Sequence, residues 1–307
     1  MIIIGIMMRF NASTMANVNG CLLSVSGLIC AVMLAAPVQA QEAAPSTGTD
    51  PRDFAPKFMP YMRTTELGNG LIENQMTMFG LIPLSPTLAL TYEFPLAYER
   101  DVTDTTLFDP MTGMCAGFLP GGGAVLPNGQ LAEGDCQEIG VGDSNVRLLY
   151  RTSWEALGGD WMIGAQFNFP TGSNSVLTAE TFSIAPMVTF IRDIPAWPGP
   201  GAFFALMNFY QFDVAKDDGR PDQSMYIGRW FVMLPISERH RIYLLPEFQP
   251  IYDFETDHFS FWIGPEIGKA FTPKIIGYLK PGWGVNVNDA AGDREFTFEI
   301  GFRFFLD

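Results

Sequence analysis

The chain has 307 residues, of which 18 are basic and 33 acidic, so its formal net charge at pH 7 is −15. This balance excludes a nucleic-acid partner, because phosphate contacts require a basic surface. The chain is also 48% hydrophobic and 13% aromatic, which is too apolar for an intrinsically disordered protein. Two classes can hold so many aromatic residues: a large soluble β-protein, or a membrane barrel whose apolar residues face lipid.

Residues 1–40 are predicted to be a signal peptide. Arg9 precedes an apolar run at residues 22–36, which has the length of a signal-peptide core and is short for a bilayer-spanning helix. Val38 and Ala40 occupy the small-residue positions of a cleavage site. We therefore expect the mature chain to begin at Gln41, with a retained anchor as the alternative.

Residues 41–70 are predicted to form a flexible periplasmic leader, because residues 41–57 are rich in Ala, Pro, Ser, Thr and Asp. Within the leader, residues 54–63 are a poor candidate for a strand, since proline cannot donate to a β-ladder. Residues 73–82 give a better strand pattern. If both segments form strands, they add two to the number of strands predicted from residue 87 onward.

From residue 87 onward, segments of alternating apolar and polar residues recur with turns between them. The last reads EFTFEIGFRFFL, so its phenylalanines share one face and its charged residues the other. Each segment has roughly the length that a tilted strand needs to cross a bilayer. The ten segments are residues 87–99, 145–154, 160–170, 181–192, 202–213, 224–235, 242–254, 258–268, 275–286 and 295–306.

The connections between these segments alternate between short turns and longer polar loops, as in outer-membrane barrels, whose short turns are periplasmic. We therefore predict an all-β fold, a transmembrane antiparallel up-and-down β-barrel at residues 71–307, with about 12 strands and ten as the alternative. Prolines within the predicted strands argue against this interpretation, because each removes a ladder donor. They are Pro95, Pro186, Pro246, Pro250, Pro265 and Pro281.

The longest connection, residues 101–142, is predicted to be an extracellular loop. It holds Cys115 and Cys136, the two cysteines that remain after removal of the signal peptide. Export to an oxidising compartment favours a disulfide that closes this loop. A metal site is the weaker alternative, because two cysteines without nearby histidines are too few ligands.

The polar phase of the strands collects charged residues that would line the lumen. Two interpretations stay open: a polar lumen that conducts or binds a solute, and an ion-paired interior that is mostly filled. A barrel of twelve strands lies between the filled interior of eight strands and the open channel of sixteen. The lumen-lining candidates are Glu93, Arg147, Arg151, Arg229, Glu247, Glu266, Lys280, Glu299 and Arg303.

Hydrolase chemistry is the enzyme alternative. His258 and Ser260 lie two residues apart, so they share one face of a strand. Nothing in the sequence marks a third, orienting group or an oxyanion hole. We therefore predict that the protein is not an enzyme, has no catalytic or metal-binding residues and needs no cofactor.

A pair of motifs resembles a known family. Gly140-Val141-Gly142-Asp143 is followed by a strand, a short turn and a second strand that ends in Pro-Thr-Gly-Ser at residues 170–173. This pattern resembles the outer-membrane transporters grouped as the MetA pathway of phenol degradation. The resemblance covers about residues 140–173 and implies uptake of aromatic or other hydrophobic compounds. It assigns no functional residue.

The predicted function is therefore passive transport of small solutes, including hydrophobic or aromatic ones, across the outer membrane of a Gram-negative bacterium. A structural or surface-binding barrel that acts through residues 101–142 is the alternative, and a membrane hydrolase the third. Expected partners are outer-membrane lipid and lipopolysaccharide, and an unidentified small solute. The final strand also resembles the signal recognised by the barrel-assembly machinery, although such signals usually end on an aromatic residue and this chain ends with Leu306 and Asp307.

Overall fold

The computed structural model describes residues 47–67, 72–101, 137–173, 177–198, 201–216, 222–237, 241–285 and 293–306, with short strand segments between residues 108 and 133. Residues 156–158 form a 3-10 turn (Ala156–Gly158). The strands are β1 (Lys57–Leu67), β2 (Ile72–Ser85), β3 (Leu88–Asp101), β4 (Phe108–Asp109), β5 (Met114–Ala116), β6 (Phe118–Leu119), β7 (Gly123–Ala124), β8 (Leu131–Glu133), β9 (Gln137–Gly140), β10 (Ser144–Arg151), β11 (Asp160–Phe169), β12 (Thr181–Asp193), β13 (Phe203–Lys216), β14 (Ser224–Ser237), β15 (Ile242–Asp253), β16 (His258–Thr272), β17 (Ile275–Gly284) and β18 (Arg294–Phe305).

Twelve of these strands close into one antiparallel barrel within the described part of the chain. Each strand from β10 to β18 pairs with the next, β18 pairs with β1, and the order continues through β2 to β3. β3 then pairs with β10, which closes the circle. β9 extends the edge of β3, and β4 to β8 form two small separate sheets. The predicted all-β barrel of twelve strands is therefore confirmed, and the ten-strand alternative is wrong.

The alternation predicted for the last strand is present in the structure. In β18, Thr297, Glu299 and Arg303 are buried inside the barrel, whereas Phe298 and Ile300 are exposed on its outer surface. An exposed row of large apolar residues has no covering element in the described chain. Such an outer surface is what a barrel in lipid requires.

The predicted boundary between leader and barrel is wrong. β1 lies within residues 41–70, so the barrel begins at Lys57 and not at residue 71. Pro60 does not prevent strand formation, because it pairs only with β2, while the ladder to β18 skips residues 59–60.

Several predictions fall on residues that are not described. The signal peptide at residues 1–40 lies outside the described residues. Most of the loop at residues 101–142 lies outside them too. The disulfide cannot be placed, because Cys136 is not described and Cys115 is placed only by the backbone pairing of β5. Among the described residues, none forms a helix long and apolar enough to span a bilayer.

The strand prolines coincide with interruptions in one of the two ladders of their strands. Between β12 and β13 the pairing skips residues 185–186, and between β14 and β15 it skips residues 245–246 and 249–250. Between β16 and β17 it skips residues 264–266 and 280–282. The sixth proline, Pro95, lies beside a bulge between β2 and β3. Proline has no N–H to donate, and each of these prolines lies where one of the two neighbouring strands is not paired with it. The prolines are therefore compatible with a closed barrel.

The two ends of the barrel differ in their connections. One end, called here the short-turn end, carries the connections from β2 to β3, β10 to β11, β12 to β13, β14 to β15 and β16 to β17, and also the start of β1 and the end of β18. The opposite end, called the long-loop end, carries the connection between β3 and β10 and five others between barrel strands. The interior differs between these ends as well.

Apolar side chains fill the interior near the short-turn end. Ile191 and Ala205 are fully buried, and Met162, Phe203 and Ile276 are 1% exposed. They belong to one cluster that also includes residues of β2, β3, β10, β14 and β15. Inward positions in this half therefore form a packed core of the kind found inside small barrels.

The segment before β1, residues 47–56, packs into this end of the barrel. Phe54 is part of the buried apolar cluster, and the guanidinium of Arg151 lies 5.1 Å from the centre of its ring. Lys57 donates hydrogen bonds from Nζ to the carbonyl oxygens of Gly48 and Asp53 at 3.2 and 3.3 Å. The segment predicted to be a flexible leader is thus held against inward-facing side chains.

Arg52 attaches the same segment to the barrel rim. Its guanidinium lies 2.8 Å from Asp50, 2.8 Å from Asp160 and 2.6 Å from Asp193. Burial lowers the pKa of Arg52, but hydrogen bonds to these three carboxylates outweigh it and raise the pKa above its ordinary value. Arg52 therefore stays charged, and its contacts with Asp160 in β11 and Asp193 in β12 hold the segment across the short-turn end.

Candidate solute cavity

A cavity of about 220 Å³ lies inside the barrel between the apolar cluster and the long-loop end. Every barrel strand except β2 contributes to its wall, so the cavity lies along the barrel axis. Most of the lining side chains are charged or carry an amide. They are Arg63, Glu93, Arg147, Gln166, Ala185, Phe209, Gln211, Ile227, Arg229, Gln249, Trp262, Lys280, Arg294, Thr297 and Glu299.

Glu247 neutralises two cations of the cavity wall. Glu247 is 1% exposed, and its carboxylate accepts a hydrogen bond from Arg229 Nε at 2.7 Å and another from Lys280 Nζ. Gln249 also donates to it, at 2.6 Å. A buried carboxylate between two cations is stabilised by charge-assisted hydrogen bonds, which offset its loss of hydration.

Glu299 and Glu93 are the two carboxylates of the cavity wall. Arg63 contacts Glu299 at 2.6 Å, and the hydroxyl of Tyr278 donates to the same carboxylate at 2.8 Å. The hydroxyl of Tyr61 donates to Glu93. Each carboxylate of the wall therefore has a hydrogen-bond donor from another strand, and Glu299 is also partly neutralised by Arg63.

Glu266 and Arg303 form a third group outside the cavity wall. Their ion pair measures 2.8 Å, and both side chains are 5% exposed. The hydroxyl of Tyr243 accepts a hydrogen bond from Arg303 and donates one to Glu266 at 2.7 Å. This closed set of contacts satisfies the charges locally, so it serves the barrel interior and not a solute.

The structure thus separates the nine predicted lumen residues into two sets. Five lie on the cavity wall: Glu93, Arg147, Arg229, Lys280 and Glu299. Four lie elsewhere in the interior: Glu247 behind the wall, Glu266 and Arg303 in their own ion pair, and Arg151 against Phe54. The sequence marked all nine as inward, but it could not tell which of them border open space.

Two lining arginines, Arg147 and Arg294, differ from the other lining cations in their hydrogen-bond partners, which are amides and not carboxylates. The guanidinium of Arg147 lies 5.2 Å from the ring centre of Phe209, and that of Arg294 lies 5.2 Å from the ring centre of Trp262. Arg147 donates to the amide oxygen of Gln166, and Arg294 donates to that of Gln249 at 2.8 Å. Among the described residues, neither arginine forms an ion pair with a carboxylate.

Sequence reasoning missed Arg294 for a specific reason. Alternation along residues 295–306 places Glu295 on the inward face and predicts nothing for Arg294. In the structure, the ladder to β1 pairs Glu66 with Phe296 and Leu67 with Arg294, so Glu295 is skipped in a bulge and is exposed. A bulge shifts the strand phase by one residue, which turns Arg294 toward the cavity.

The motifs that carry the family resemblance meet at the long-loop end. Asp143 accepts hydrogen bonds from the backbone N–H of Gly172 at 3.0 Å and of Ala179 at 2.6 Å. The hydroxyl of Thr171 accepts from the N–H of Ser144 at 2.9 Å. The N–H of Ser173 donates to the carbonyl of Val141 at 2.9 Å. The two motifs therefore form one hydrogen-bonded group, called here the rim cluster.

Glycines in the rim cluster allow close approach of the two segments. A Cβ added at Gly140 would lie 1.8 Å from Oγ of Ser173, and one added at Gly172 would lie 2.7 Å from the carbonyl oxygen of Leu177. The motif spacing therefore has a structural explanation, in which glycine permits the contact and Asp143 supplies the acceptor. The rim cluster fixes the connections of β10 and β11 above the cavity.

Replacing Asp143 by alanine is expected to lower the free energy of unfolding by about 2 kcal/mol, because two backbone donors lose a charged acceptor. Asp143→Asn keeps one acceptor oxygen and should cost about half as much. Urea unfolding in detergent, followed by intrinsic fluorescence, measures both. Equal unfolding midpoints for Asp143→Ala and the wild type would contradict the role given to this carboxylate.

For the hydrolase alternative, the structure shows a carboxylate beside the histidine but no contact between the histidine and the serine. His258 Nε2 lies 2.9 Å from Oδ2 of Asp293, so an orienting carboxylate that the sequence did not reveal is present. In the described chain, Ser260 makes no hydrogen bond to His258, and no group of three His, Cys, Asp or Glu side chains is placed to hold a metal. A nucleophile–base contact is what hydrolysis would need first.

Comparison with known proteins supports the fold. The chain is similar to the COG4313 outer membrane channel from Pseudomonas putida F1, with a TM-score of 0.58 and 13% identity over 83% of this chain and 99% of that one. It is also similar to the NanC porin, with a TM-score of 0.49 and 12% identity over 82% of this chain and all of that one. No family model and no curated protein match the chain. The fold is thus a closed β-barrel of the outer-membrane type, and the resemblance to the MetA-pathway family stays a prediction.

Proposed function

We propose that the protein is a passive outer-membrane channel for small solutes. The observation that carries this proposal is a charged cavity on the axis of a closed barrel whose outer surface is apolar. An apolar outer surface suits lipid, and a hydrated polar interior suits a solute. In this assignment the short-turn end faces the periplasm and the long-loop end faces the cell exterior.

The proposed path has a closed section at the short-turn end. The cavity borders the apolar cluster, and residues 47–56 pack into that cluster from the periplasmic side. A solute that enters the cavity from the long-loop end can therefore pass through the short-turn end only when this segment moves. Its attachment is local, since Arg52 contacts three carboxylates and Phe54 supplies the buried side chain. Movement of the segment leaves the barrel ladders intact.

Planar-bilayer recording tests the proposal directly. The mature chain, refolded in detergent and inserted into a planar bilayer, should give discrete conductance steps with brief openings. Proteoliposomes that contain it should swell in isosmotic solutions of small solutes faster than empty liposomes. If neither conductance nor swelling is observed, for the wild type and for a chain lacking residues 41–56, the transport proposal is wrong.

The membrane placement makes a separate prediction. Ile300 is at the middle of β18 and is 42% exposed on the outer surface. Ile300→Arg is expected to destabilise the lipid-inserted barrel by about 2–4 kcal/mol, because a charge near the bilayer midplane is poorly solvated. Ile300→Leu, the control, should change stability by less than about 1 kcal/mol. Equal refolding yields of the two variants into lipid vesicles would contradict a lipid-facing position.

A further inference from the structure

We propose that the cavity is a binding site for small organic anions, in which Arg147 and Arg294 supply the positive charge that attracts a carboxylate whose body is planar and apolar. This inference rests on the proposed channel function and adds the class of solute. Three features carry it: the charge of the cavity wall, the state of the two arginines and the size of the space. Each follows from contacts in the described residues.

The cavity wall has an excess of positive charge although the chain as a whole has a net charge of −15. Five cationic side chains line it, against the two carboxylates of Glu93 and Glu299. Glu247 lies behind the wall and neutralises part of the charge of Arg229 and Lys280. The local excess of cations opposes the charge of the protein, so the cavity attracts anions that the rest of the surface repels.

Arg147 and Arg294 provide the excess. Arg63 has Glu299 as partner, whereas Arg229 and Lys280 share Glu247. Arg147 and Arg294 instead donate to neutral amide oxygens and lie over aromatic rings. An amide does not neutralise a guanidinium, so each keeps a full charge and has N–H groups beyond those bound to the amide.

The neighbouring rings and amides hold both arginines in place. The guanidinium of Arg147 lies over the ring of Phe209 and that of Arg294 over the ring of Trp262, so cation–π contacts restrict where each can move. Guanidinium edges match the geometry of a carboxylate. The rings of Phe209 and Trp262, each 5% exposed, and the side chain of Ile227 form the apolar part of the cavity wall, which an apolar ligand body would contact.

The size of the cavity limits the ligand. Pockets for drug-sized ligands occupy roughly 300–1,000 Å³. A cavity of about 220 Å³ is smaller and fits a ligand of one ring. An aromatic monocarboxylate combines this size with the charge that the two arginines require. A neutral phenol of the same size would lack the ionic contact, and a cation would meet like charges.

An isosteric series tests the proposal by calorimetric titration of the refolded mature chain in detergent. Benzoate, benzamide and benzamidinium have nearly the same shape but carry charges of −1, 0 and +1. Benzoate should bind about tenfold more tightly than benzamide, since charge-assisted hydrogen bonds are about twice as strong as neutral ones. Benzamidinium should bind more weakly than benzamide. Equal affinities for benzoate and benzamide would overturn the proposal.

Variants assign the site to the two arginines. The double variant Arg147→Gln, Arg294→Gln should lose about tenfold in benzoate affinity and leave benzamide affinity unchanged. Arg192→Gln is the control, because Arg192 is exposed at the short-turn end and its loss changes the total charge without touching the cavity. Migration as a folded barrel in unheated gel samples verifies that each variant is folded. Unchanged benzoate binding by the folded double variant would overturn the assignment.

Ion selectivity separates this inference from the proposed function. In a KCl gradient across a planar bilayer, the reversal potential of the wild type should indicate preference for chloride, and the double variant should lose that preference. Conductance without anion preference would contradict the anion site but leave the channel intact. Absence of conductance together with tight benzoate binding would contradict the channel but leave the anion site.

Discussion

Replacing Glu247 by glutamine is expected to lower the free energy of unfolding by about 3 kcal/mol. This value is at the lower end of the range for removing one partner of a buried ion pair, because Arg229 keeps some contact with solvent. The substitution keeps the shape of the side chain but removes the charge that Arg229 and Lys280 share. Both cations then face each other without a counter-charge. Urea unfolding of the detergent-solubilised barrel measures the change.

The control for this prediction is Glu295→Gln, which makes the same chemical change on the exposed outer surface of β18. It should shift stability by less than about 0.5 kcal/mol. If the two variants unfolded at the same urea concentration, the charge of Glu247 would not be needed for the barrel interior. Lys280→Met combined with Glu247→Gln should recover part of the loss, because one uncompensated charge is removed with its partner.

The second large effect is expected at the short-turn end. The double variant Arg52→Gln, Phe54→Ala removes the rim contacts and the buried ring that hold residues 47–56 in place. Loss of a buried phenylalanine alone costs about 3 kcal/mol, which shifts the population of the inserted segment on the order of 100-fold. We therefore expect the fraction of time in the open state, recorded in a planar bilayer, to rise strongly.

Phe298→Ala provides the matched control, since it removes the same side-chain atoms from the exposed outer surface of the barrel. It should leave the open fraction unchanged. If the double variant and the wild type conducted equally, residues 47–56 would not close the path. A conductance increase in the control as large as that in the double variant would point to a loosened barrel wall.

The strand pattern made the barrel predictable from sequence because alternation is a local property. Each of the predicted segments from residue 87 onward overlaps one barrel strand, and the inward face predicted for Thr297, Glu299 and Arg303 of β18 is the face they occupy. β1 was harder to recognise, because its proline weakens the strand pattern of its own residues. The ladder that stabilises β1 depends on its partner strand β2, which the pattern of β1 alone does not show.

The cavity was less predictable, because it depends on departures from local rules. Arg294 faces the cavity only through the bulge at Glu295, and Arg63 belongs to the poorly predicted β1. Residues 47–56 resemble a flexible leader by composition, and only tertiary contacts place Phe54 in the interior. Alternation predicts which face a residue occupies, but packing decides whether that face borders another side chain or open space.

The seam between β1 and β18 has a consequence for folding. All other neighbours in the barrel except β3 and β10 follow each other in the chain, whereas this seam pairs Lys57 with Phe305, and its ion pair between Arg63 and Glu299 spans 236 residues. Its contact order is therefore the highest in the molecule, and its loop-closure entropy is lost in a single step. We expect the hairpins to form first and the seam to close last, so that substitutions at Arg63 slow closure more than they slow hairpin formation.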